Sequence, residues 1–395
     1  MAKLPKNIRV LGWVSFFTDV SSEMILPILP LFLKNVLKTT MTSIGLIEGV
    51  AEATASLLKV VSGVWSDRSQ RRKPFIVAGY GLSTVVKPLL ALTSNWVQVL
   101  GIRFTDRVGK GIRTSPRDAL IADTSGVASR GRSFGFHRAL DTLGAAVGTL
   151  AAFLLLSWKI QAYRLVFLLS VVPGLVAVFL LLFLLNEKPG TPRLGEAGGW
   201  QLPFRELPVD FWFLLGILAV FTFANVSYAF FILKINQIGI SAAMVPLVYL
   251  FYNLVYATFA MPFGALSDKM GRERLLLLGF FLMTLLLWGF SKATAAWQAW
   301  VLFFVYGLTS AITETVPRAL ISDWAKKTSR GSALGVYHMA IGLTALPASF
   351  IFGAIWHAQG ARVAFQYGTS VAAAAVLLLV IFRQKRISAE AISEN

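Results

Sequence analysis

Long apolar stretches separated by short polar turns dominate the pattern along this chain. A helix needs roughly 20 mostly apolar residues to cross a bilayer. Twelve stretches of that kind are predicted at residues 9–33, 42–66, 74–94, 97–117, 133–157, 163–185, 210–234, 243–267, 275–292, 297–320, 332–356 and 364–382. The pattern therefore predicts an all-α integral membrane protein with twelve transmembrane helices.

One connection differs from the other short turns. Residues 187–208 are rich in Pro, Gly and charge, which is typical of a linker. We expect an N-terminal six-helix bundle at 1–186, a cytoplasmic linker at 187–208 and a C-terminal six-helix bundle at 209–395.

Composition supports lipid as the solvent of this chain. Apolar and aromatic residues make up 56%, charged residues only 14%, and the mean hydropathy is +0.68, whereas a soluble domain carries about 25% charge. The formal charge of +18 follows the positive-inside rule, because predicted inside segments carry about three times as many Lys and Arg as outside ones. We therefore expect both termini in the cytoplasm, the inner membrane as location if the source is bacterial, and no nucleic-acid partner.

The two halves repeat each other about 200 residues apart. Ala-Leu-Ile-Ala-Asp123 recurs as Ala-Leu-Ile-Ser-Asp323, and Ser-Arg130-Gly recurs as Ser-Arg330-Gly. Two related bundles predict pseudo-symmetry and a solute site near the middle of the membrane.

A basic turn recurs between apolar stretches in each half. The first copy contains Gly63, Asp67, Arg68, Arg71 and Arg72, and the second contains Gly264, Asp268, Lys269, Gly271 and Arg272. Both resemble the loop motif of the major facilitator superfamily, Gly-x-x-x-Asp-(Arg/Lys)-x-Gly-(Arg/Lys)-(Arg/Lys). The first copy departs from it with Gln70 in place of the inner glycine. The resemblance implies a secondary transporter that works by alternating access as a monomer, with no cofactor.

These loops are expected to act as a conformational latch on the inner face. The predicted latch residues are Gly63, Asp67, Arg68, Arg71, Arg72, Gly264, Asp268, Lys269 and Arg272. Charge pairing with neighbouring helix ends would hold the latch. The candidate partners are Asp123, Arg130, Asp323 and Arg330.

Ionisable residues inside the predicted spans form the candidate solute and proton site. A charge within a bilayer costs several kcal/mol unless it is paired or hydrated, so these residues should face the bundle interior. The predicted site residues are Asp19, Glu23, Glu52, Arg103, Asp106, Arg107 and Asp141. Asp19 and Glu23, like Glu48 and Glu52, are four residues apart and share a helical face. Paired carboxylates repel when both are ionised, which favours proton binding and hence protons as the coupling ion.

Other readings of these charges stay open. Lys59 can extend to the inner surface, and Lys87 suits a structural ion pair as well as a ligand contact. Arg138 and Asp141, three residues apart, can neutralise each other. His137 suits polar packing.

Two further stretches resemble superfamily motifs. Arg107-Val-Gly-Lys110-Gly111 resembles Arg-x-x-Gln-Gly, whose arginine is linked to proton transfer in proton-coupled members. Gly135, Gly144 and Gly148 match the spacing that opens the motif of the antiporter branch, and the same glycines also suit helix packing. The resemblance implies a member closest to drug/proton antiporters.

The charges leave the substrate open. Near mid-bilayer, six carboxylates face five basic residues. Aromatic residues of the second half suit an amphipathic organic solute: Phe223, Tyr228, Tyr249, Tyr252 and Tyr256. The leading prediction is proton-coupled efflux of an organic cation or drug-like amphipathic solute.

Three alternatives remain. They are an organic anion bound by Arg103 and Arg107, a divalent metal cation held by Asp19, Glu23, Glu48 and Glu52, and a transporter-like receptor or intramembrane enzyme. We expect no enzyme, because neither paired-His metal motifs nor nucleophile elbows occur.

Overall fold

The computed structural model describes residues 4–69, 71–125, 130–159, 161–187, 207–324 and 330–393, without the side chains of residues 67–68, 130–131, 330–332 and 387–393. Every regular element in these ranges is helical, as predicted. The α-helices are α1 Lys6–Glu23, α2 Leu29–Leu31, α3 Met41–Ser69, α4 Lys73–Val86, α5 Trp96–Thr124, α6 Arg130–Trp158, α7 Tyr163–Leu169, α8 Val171–Leu184, α9 Val209–Ala224, α10 Tyr228–Gln237, α11 Val245–Met270, α12 Arg272–Lys292, α13 Ala296–Thr313, α14 Val316–Trp324, α15 Arg330–Gln359 and α16 Ala361–Ser393. A π-helical turn, Phe32–Val36, follows α2, and a 3₁₀ turn, Lys87–Leu92, follows α4.

The helices of the described ranges combine into twelve segments, because α1–α2, α7–α8, α9–α10 and α13–α14 each run nearly continuously. Nine segments in the described ranges are long and apolar enough to cross a membrane. The other three contain α1, α3 and α5, which carry most of the intramembrane charges identified above. The predicted spans 9–33, 42–66 and 97–117 thus form helices whose low apolarity reflects their ionisable residues.

Helix limits repeat between the halves. α5 covers Trp96–Thr124, and α13 with α14 covers Ala296–Trp324. A glutamine at the equivalent position caps the start of each segment. Gln98 Oε1 accepts a hydrogen bond from the backbone N–H of Ser94 at 2.8 Å, and Gln298 Oε1 accepts one from the backbone N–H of Thr294 at 2.8 Å. These bonds satisfy donors near each helix start that would otherwise lack partners.

The first spanning segment is broken where its acidic residues end. α1 stops at Glu23, and Met24–Ile28 form turns before α2. Pro27 has no N–H to donate to the Glu23 carbonyl four residues back, and its ring crowds that carbonyl. The chain therefore leaves the helix immediately after the Asp19/Glu23 pair.

The described chain divides into two compact units. Unit 1 comprises Met1–Thr40, Val50–Trp200 and Ile240–Leu250, and unit 2 comprises Met41–Gly49, Gln201–Gly239 and Phe251–Asn395. The predicted linker 187–208 falls almost wholly outside the described residues.

In unit 1, α1 packs on α6 and α8, and α4 packs on α5 and α8. These contacts bury one apolar cluster: Val10, Leu11, Val14, Ile76, Tyr80, Leu120, Ile121, Ala177, Leu181 and Leu185.

In unit 2, α12 packs on α13 and α16, and α9 packs on α15 and α16. Its core is aromatic: the Phe221 and Phe280 rings stack with centroids 3.8 Å apart, and those of Phe290 and Phe365 stack at 5.2 Å. The first turns of α3 also belong to this unit, and Gly45 lies against the backbone of Ser349 on α15.

Glycines bring α6 against α1. A Cβ at Gly144 would meet backbone atoms of Phe16, and one at Gly148 would meet backbone atoms of Val20, none of them more than 3.0 Å away. Gly135, on the same helix, has nothing within 4 Å of such a Cβ. Packing therefore accounts for two of the three glycines that resemble the antiporter motif.

We expect Gly144→Ala to destabilise the protein, because the methyl group forces α1 and α6 apart at a backbone contact. The cost should be about 1–3 kcal/mol, as for other overpacked sites. The measurement is the thermal unfolding midpoint of the purified protein. Gly135→Ala is the matched control and should not lower the midpoint. Equal midpoints for the two variants would contradict the close approach.

Candidate functional site

The carboxyl groups of Asp19 on α1 and Asp141 on α6 lie against each other. Asp141 accepts a hydrogen bond from Ser15 Oγ at 2.6 Å and another from Arg138 Nη1 at 3.0 Å. The predicted Arg138–Asp141 neutralisation is thus present, and both oxygens of Asp141 have donors. Two carboxyl groups in direct contact need a proton between them if they are not to repel.

Glu23 lies one helical turn further along α1. Its Oε2 atom is buried and has no hydrogen-bond partner in the described part of the protein. Lys110 and Arg107 are positive charges that act on it, and Asp141 and Asp19 are negative ones.

α5 supplies most of the basic side chains. Arg103 and Arg107 are both buried, with 4% and 8% of their surface exposed. Arg103 Nη1 lies 3.8 Å from Asp106 Oδ2. Arg107 makes no direct ion pair with any described residue, and its Nε atom is buried without a hydrogen bond. Arg103 thus makes the direct ion pair with Asp106, and Arg107 acts on Asp106 without a direct pair.

Two other basic residues are held by neutral groups. Lys87 is buried and donates from Nζ to Ser21 Oγ at 2.7 Å and to Ser22 Oγ at 3.2 Å. Arg113 donates from Nη1 to Ser83 Oγ at 2.8 Å and places its guanidinium 4.2 Å from the Tyr80 ring centroid. Lys87 thus ties the end of α1 to the segment that follows α4, and among the described residues it forms no ion pair of the kind left open above.

Arg107 is the electrostatic centre of unit 1. It lies within range of charges on three helices and the 3₁₀ turn: Glu23, Glu52, Lys87, Asp106 and Lys110. Glu52 is exposed, and its surrounding charges are all basic: Arg107, Lys59, Lys110 and Arg103. Of the described charges around this centre, Glu23, Glu52, Arg107 and Lys110 form no direct pair.

A metal site is not formed by these side chains. Among the described residues, no group of three or more His, Asp or Glu side chains gathers closely enough to hold a metal ion. The metal alternative, which needed Asp19, Glu23, Glu48 and Glu52 together, is therefore not supported. Glu48 instead accepts a hydrogen bond at 3.3 Å from Ser227 Oγ, at the start of α10.

Two ion pairs occupy matching places at the predicted inner face. Arg72 Nε lies 2.9 Å from Asp123 Oδ2, and Arg272 Nε lies 2.8 Å from Asp323 Oδ2. Arg272 also lies 3.4 Å from Asp268. The predicted latch partners Asp123 and Asp323 are therefore in contact with latch residues.

Fewer contacts are described for the remaining latch residues. Gly271 has φ +90°, which explains the glycine at this turn. Arg71 and Lys269 are exposed. Gly63 faces Ser115 on α5, whereas nothing lies within 4 Å of a Cβ at Gly264. The side chains of Asp67, Arg68, Arg130 and Arg330 lie outside the described residues.

Each half also ties its last spanning helix to this face, but with opposite charges. In unit 1, Glu187 accepts from the backbone N–H groups of Arg72 and Lys73 at 2.5 Å and 2.8 Å. In unit 2, Arg386 on α16 lies 2.5 Å from Glu273 in the first turn of α12. Sequence reasoning missed both ties, because neither Glu187 nor Arg386 belongs to the repeated motif.

Unit 2 holds few intramembrane charges. Glu314 lies between α13 and α14 and accepts a hydrogen bond from Tyr256 Oη at 3.2 Å. Of the aromatic residues singled out above, Tyr252 and Tyr256 lie beside it in unit 2. Tyr249 falls in unit 1, and Tyr252 stacks on Tyr306 rather than lining a surface alone.

Twelve helical segments with charged groups held inside them define a membrane transporter of solutes. The chain belongs to the Major Facilitator Superfamily, whose family model matches residues 11–237 and 212–394. An uncharacterized MFS-type transporter of Methanocaldococcus jannaschii is 36% identical over 96% of this chain and 95% of its own length. This confirms the family resemblance, the all-α membrane fold and the prediction of a transporter rather than an enzyme.

Solved structures agree on the fold. A point mutant of the nucleoside transporter NupG superposes with a TM-score of 0.83 at 10% identity, over 95% of this chain and 99% of its own. A POT family transporter in complex with 5-aminolevulinic acid gives a TM-score of 0.80 at 13% identity, over 96% of each chain. At such identities the likeness concerns the fold alone.

The inner-face ion pairs predict a transport defect without a large loss of stability. Arg72→Ala and Arg272→Ala should each slow solute flux in proteoliposomes several-fold, because each removes the partner of an aspartate at a helix end. Partly exposed pairs contribute about 0–1 kcal/mol, so unfolding midpoints should change little.

Exchanging the charges provides the control. Arg72→Asp combined with Asp123→Arg should recover flux, and Arg9→Ala, an exposed basic residue on α1, should leave it unchanged. Full flux in both the Arg72→Ala and the Arg272→Ala variant would show that these ion pairs have no role in the transport cycle.

Proposed function

We propose that this transporter carries a small organic anion together with protons, and that Arg107 and Lys110 bind the anion. The observation that carries the proposal is the buried Arg107 guanidinium, which has no direct partner among the described residues. An unpaired charge in such a place costs several kcal/mol. An anionic ligand would remove that cost while it is bound.

The charge balance of unit 1 favours an anion over the organic cation predicted from sequence. Seven intramembrane basic residues face five acidic ones; they are Lys59, Lys87, Arg103, Arg107, Lys110, Arg113 and Arg138 against Asp19, Glu23, Glu52, Asp106 and Asp141. Asp106 and Asp141 already pair with arginines. A cation would therefore enter a region with a surplus of positive charge.

Asp19, Glu23 and Glu52 are the proposed proton-binding groups. Asp141 has donors on both oxygens, so the proton shared with Asp19 belongs on Asp19 in this proposal. Protons on Glu23 and Glu52 would remove two of the negative charges that interact with Arg107 and Lys110. Anion and protons then bind better together than apart, and this coupling is reciprocal.

The remaining features of the proposal follow the family expectation. Alternating access exposes the site to each side in turn, with the inner-face ion pairs as the latch. We propose a monomer in a cytoplasmic membrane with both termini inside. The basic residues of the inside segments support that orientation.

An organic cation exchanged for protons is the second candidate. It is supported by the accessible Glu52 and by the unpartnered Oε2 of Glu23. A cation would compete with protons for these carboxylates, whereas an anion would bind with them. The two candidates therefore predict opposite effects of pH on affinity.

A ligand-stabilisation screen at pH 6 and pH 8 separates them. Small mono- and dicarboxylates should raise the unfolding midpoint of the purified protein more at pH 6 than at pH 8. Arg107→Gln should abolish this shift. Glu52→Gln should retain binding but weaken its pH dependence, because the residue no longer exchanges a proton.

Lys292→Gln is the matched control, since Lys292 is an exposed cation at the end of α12, and it should behave as wild type. A shift produced only by ammonium compounds, larger at pH 8, would overturn the anion proposal in favour of the cation. Flux in proteoliposomes with pH gradients of either sign then tests whether the anion and the protons move in the same direction.

A further inference from the structure

The junction between α13 and α14 holds a carboxylate that the anion site does not use. α13 ends at Thr313 and α14 begins at Val316, so Glu314 lies where the spanning segment is interrupted. Such interruptions within a membrane are tolerated where the backbone is buried in protein or lines a cavity. Tyr256 Oη donates to Glu314 Oε2 at 3.2 Å, and Glu314 makes no ion pair with a described residue.

Three tyrosines surround this carboxylate. The rings of Tyr252 and Tyr306 stack with centroids 4.4 Å apart, and those of Tyr252 and Tyr256 are nearly parallel at 6.4 Å. Glu314 lies within electrostatic range of both Tyr252 and Tyr306. Phe231 covers Tyr306 with its centroid 4.6 Å away. These contacts fix the rings beside one carboxylate oxygen.

The surroundings of Glu314 differ from those of the carboxylates in unit 1. Around Glu52 every neighbouring charge is basic, whereas Glu314 is hydrogen-bonded by a neutral phenol. Arg318, one turn along, forms no ion pair with it. Aromatic faces attract cations, and the attraction strengthens when water is excluded. A carboxylate among tyrosine rings therefore suits a positively charged nitrogen.

We propose that Glu314, Tyr252, Tyr256 and Tyr306 form a second solute-binding site, within unit 2, that takes an organic ammonium group. The ammonium pairs with Glu314 and lies against the tyrosine rings. This site stands on its own contacts and does not depend on anion binding at Arg107. It would bind cationic ligands, which the surplus of positive charge in unit 1 disfavours.

Calorimetric titration of the purified full chain with phenethylammonium chloride at pH 7 tests the site, with 2-phenylethanol as the uncharged analogue. The ammonium compound should bind about tenfold or more tightly than the alcohol, the range expected for a desolvated cation on aromatic rings beside a carboxylate. Glu314→Gln should remove most of this difference. Tyr306→Leu should weaken ammonium binding several-fold.

Asp210→Asn removes another carboxylate of unit 2, far along the chain from this group, and should bind the ammonium compound as wild type does. Equal affinity of wild type and Glu314→Gln would overturn the proposal. So would loss of ammonium binding in Glu52→Gln instead, which would place the cation in unit 1. If Glu314→Gln does not fold, Tyr256→Phe decides, because it removes only the hydroxyl that fixes the carboxylate and should still weaken binding.

Discussion

Charge held within lipid is the constraint on which this structure depends. Each ionised group in the bilayer costs free energy unless other groups or water compensate it. In unit 1 most charges are compensated pairwise or by hydroxyl groups, as with Arg138 on Asp141 and Lys87 on Ser21. Glu23, Glu52, Arg107 and Lys110 are the exceptions, and the buried Arg107 is the one at which we propose that an anion completes the arrangement.

A symmetric scaffold carries asymmetric chemistry. The helix limits, the glutamine caps and the Arg–Asp ion pairs recur in both halves. The interior does not recur: Asp19 corresponds to Asn225 in the repeated stretch. Unit 1 thereby concentrates charge, and unit 2 concentrates aromatic rings around one glutamate. A duplicated fold can keep its packing while its two interiors take up different tasks.

Apolar periodicity predicted the helices well, because lipid requires long uninterrupted apolar runs. It underestimated α5, which extends to Thr124, since its inner turns are too polar for a span but still form helix. The candidate residues on α1, α5 and α6 could be named from their position in the membrane. Their partners could not, because spacing along one helix does not reveal which neighbour faces it; Arg103 rather than Arg107 pairs with Asp106. Glu314 and Tyr256 became a group only once α13 and α11 were placed side by side.

The opposite charges that tie the last helix of each half have a consequence for assembly. Glu187 fits the start of α4, where it accepts hydrogen bonds from the backbone N–H groups of Arg72 and Lys73. Brought to the start of α12, the same carboxylate would meet Glu273, which already holds Arg386. Like charges in such a place repel. Each half of the duplicated chain is therefore compatible with only its own last helix. Exchange of that helix between the halves, or between two molecules of the protein, is disfavoured during biogenesis.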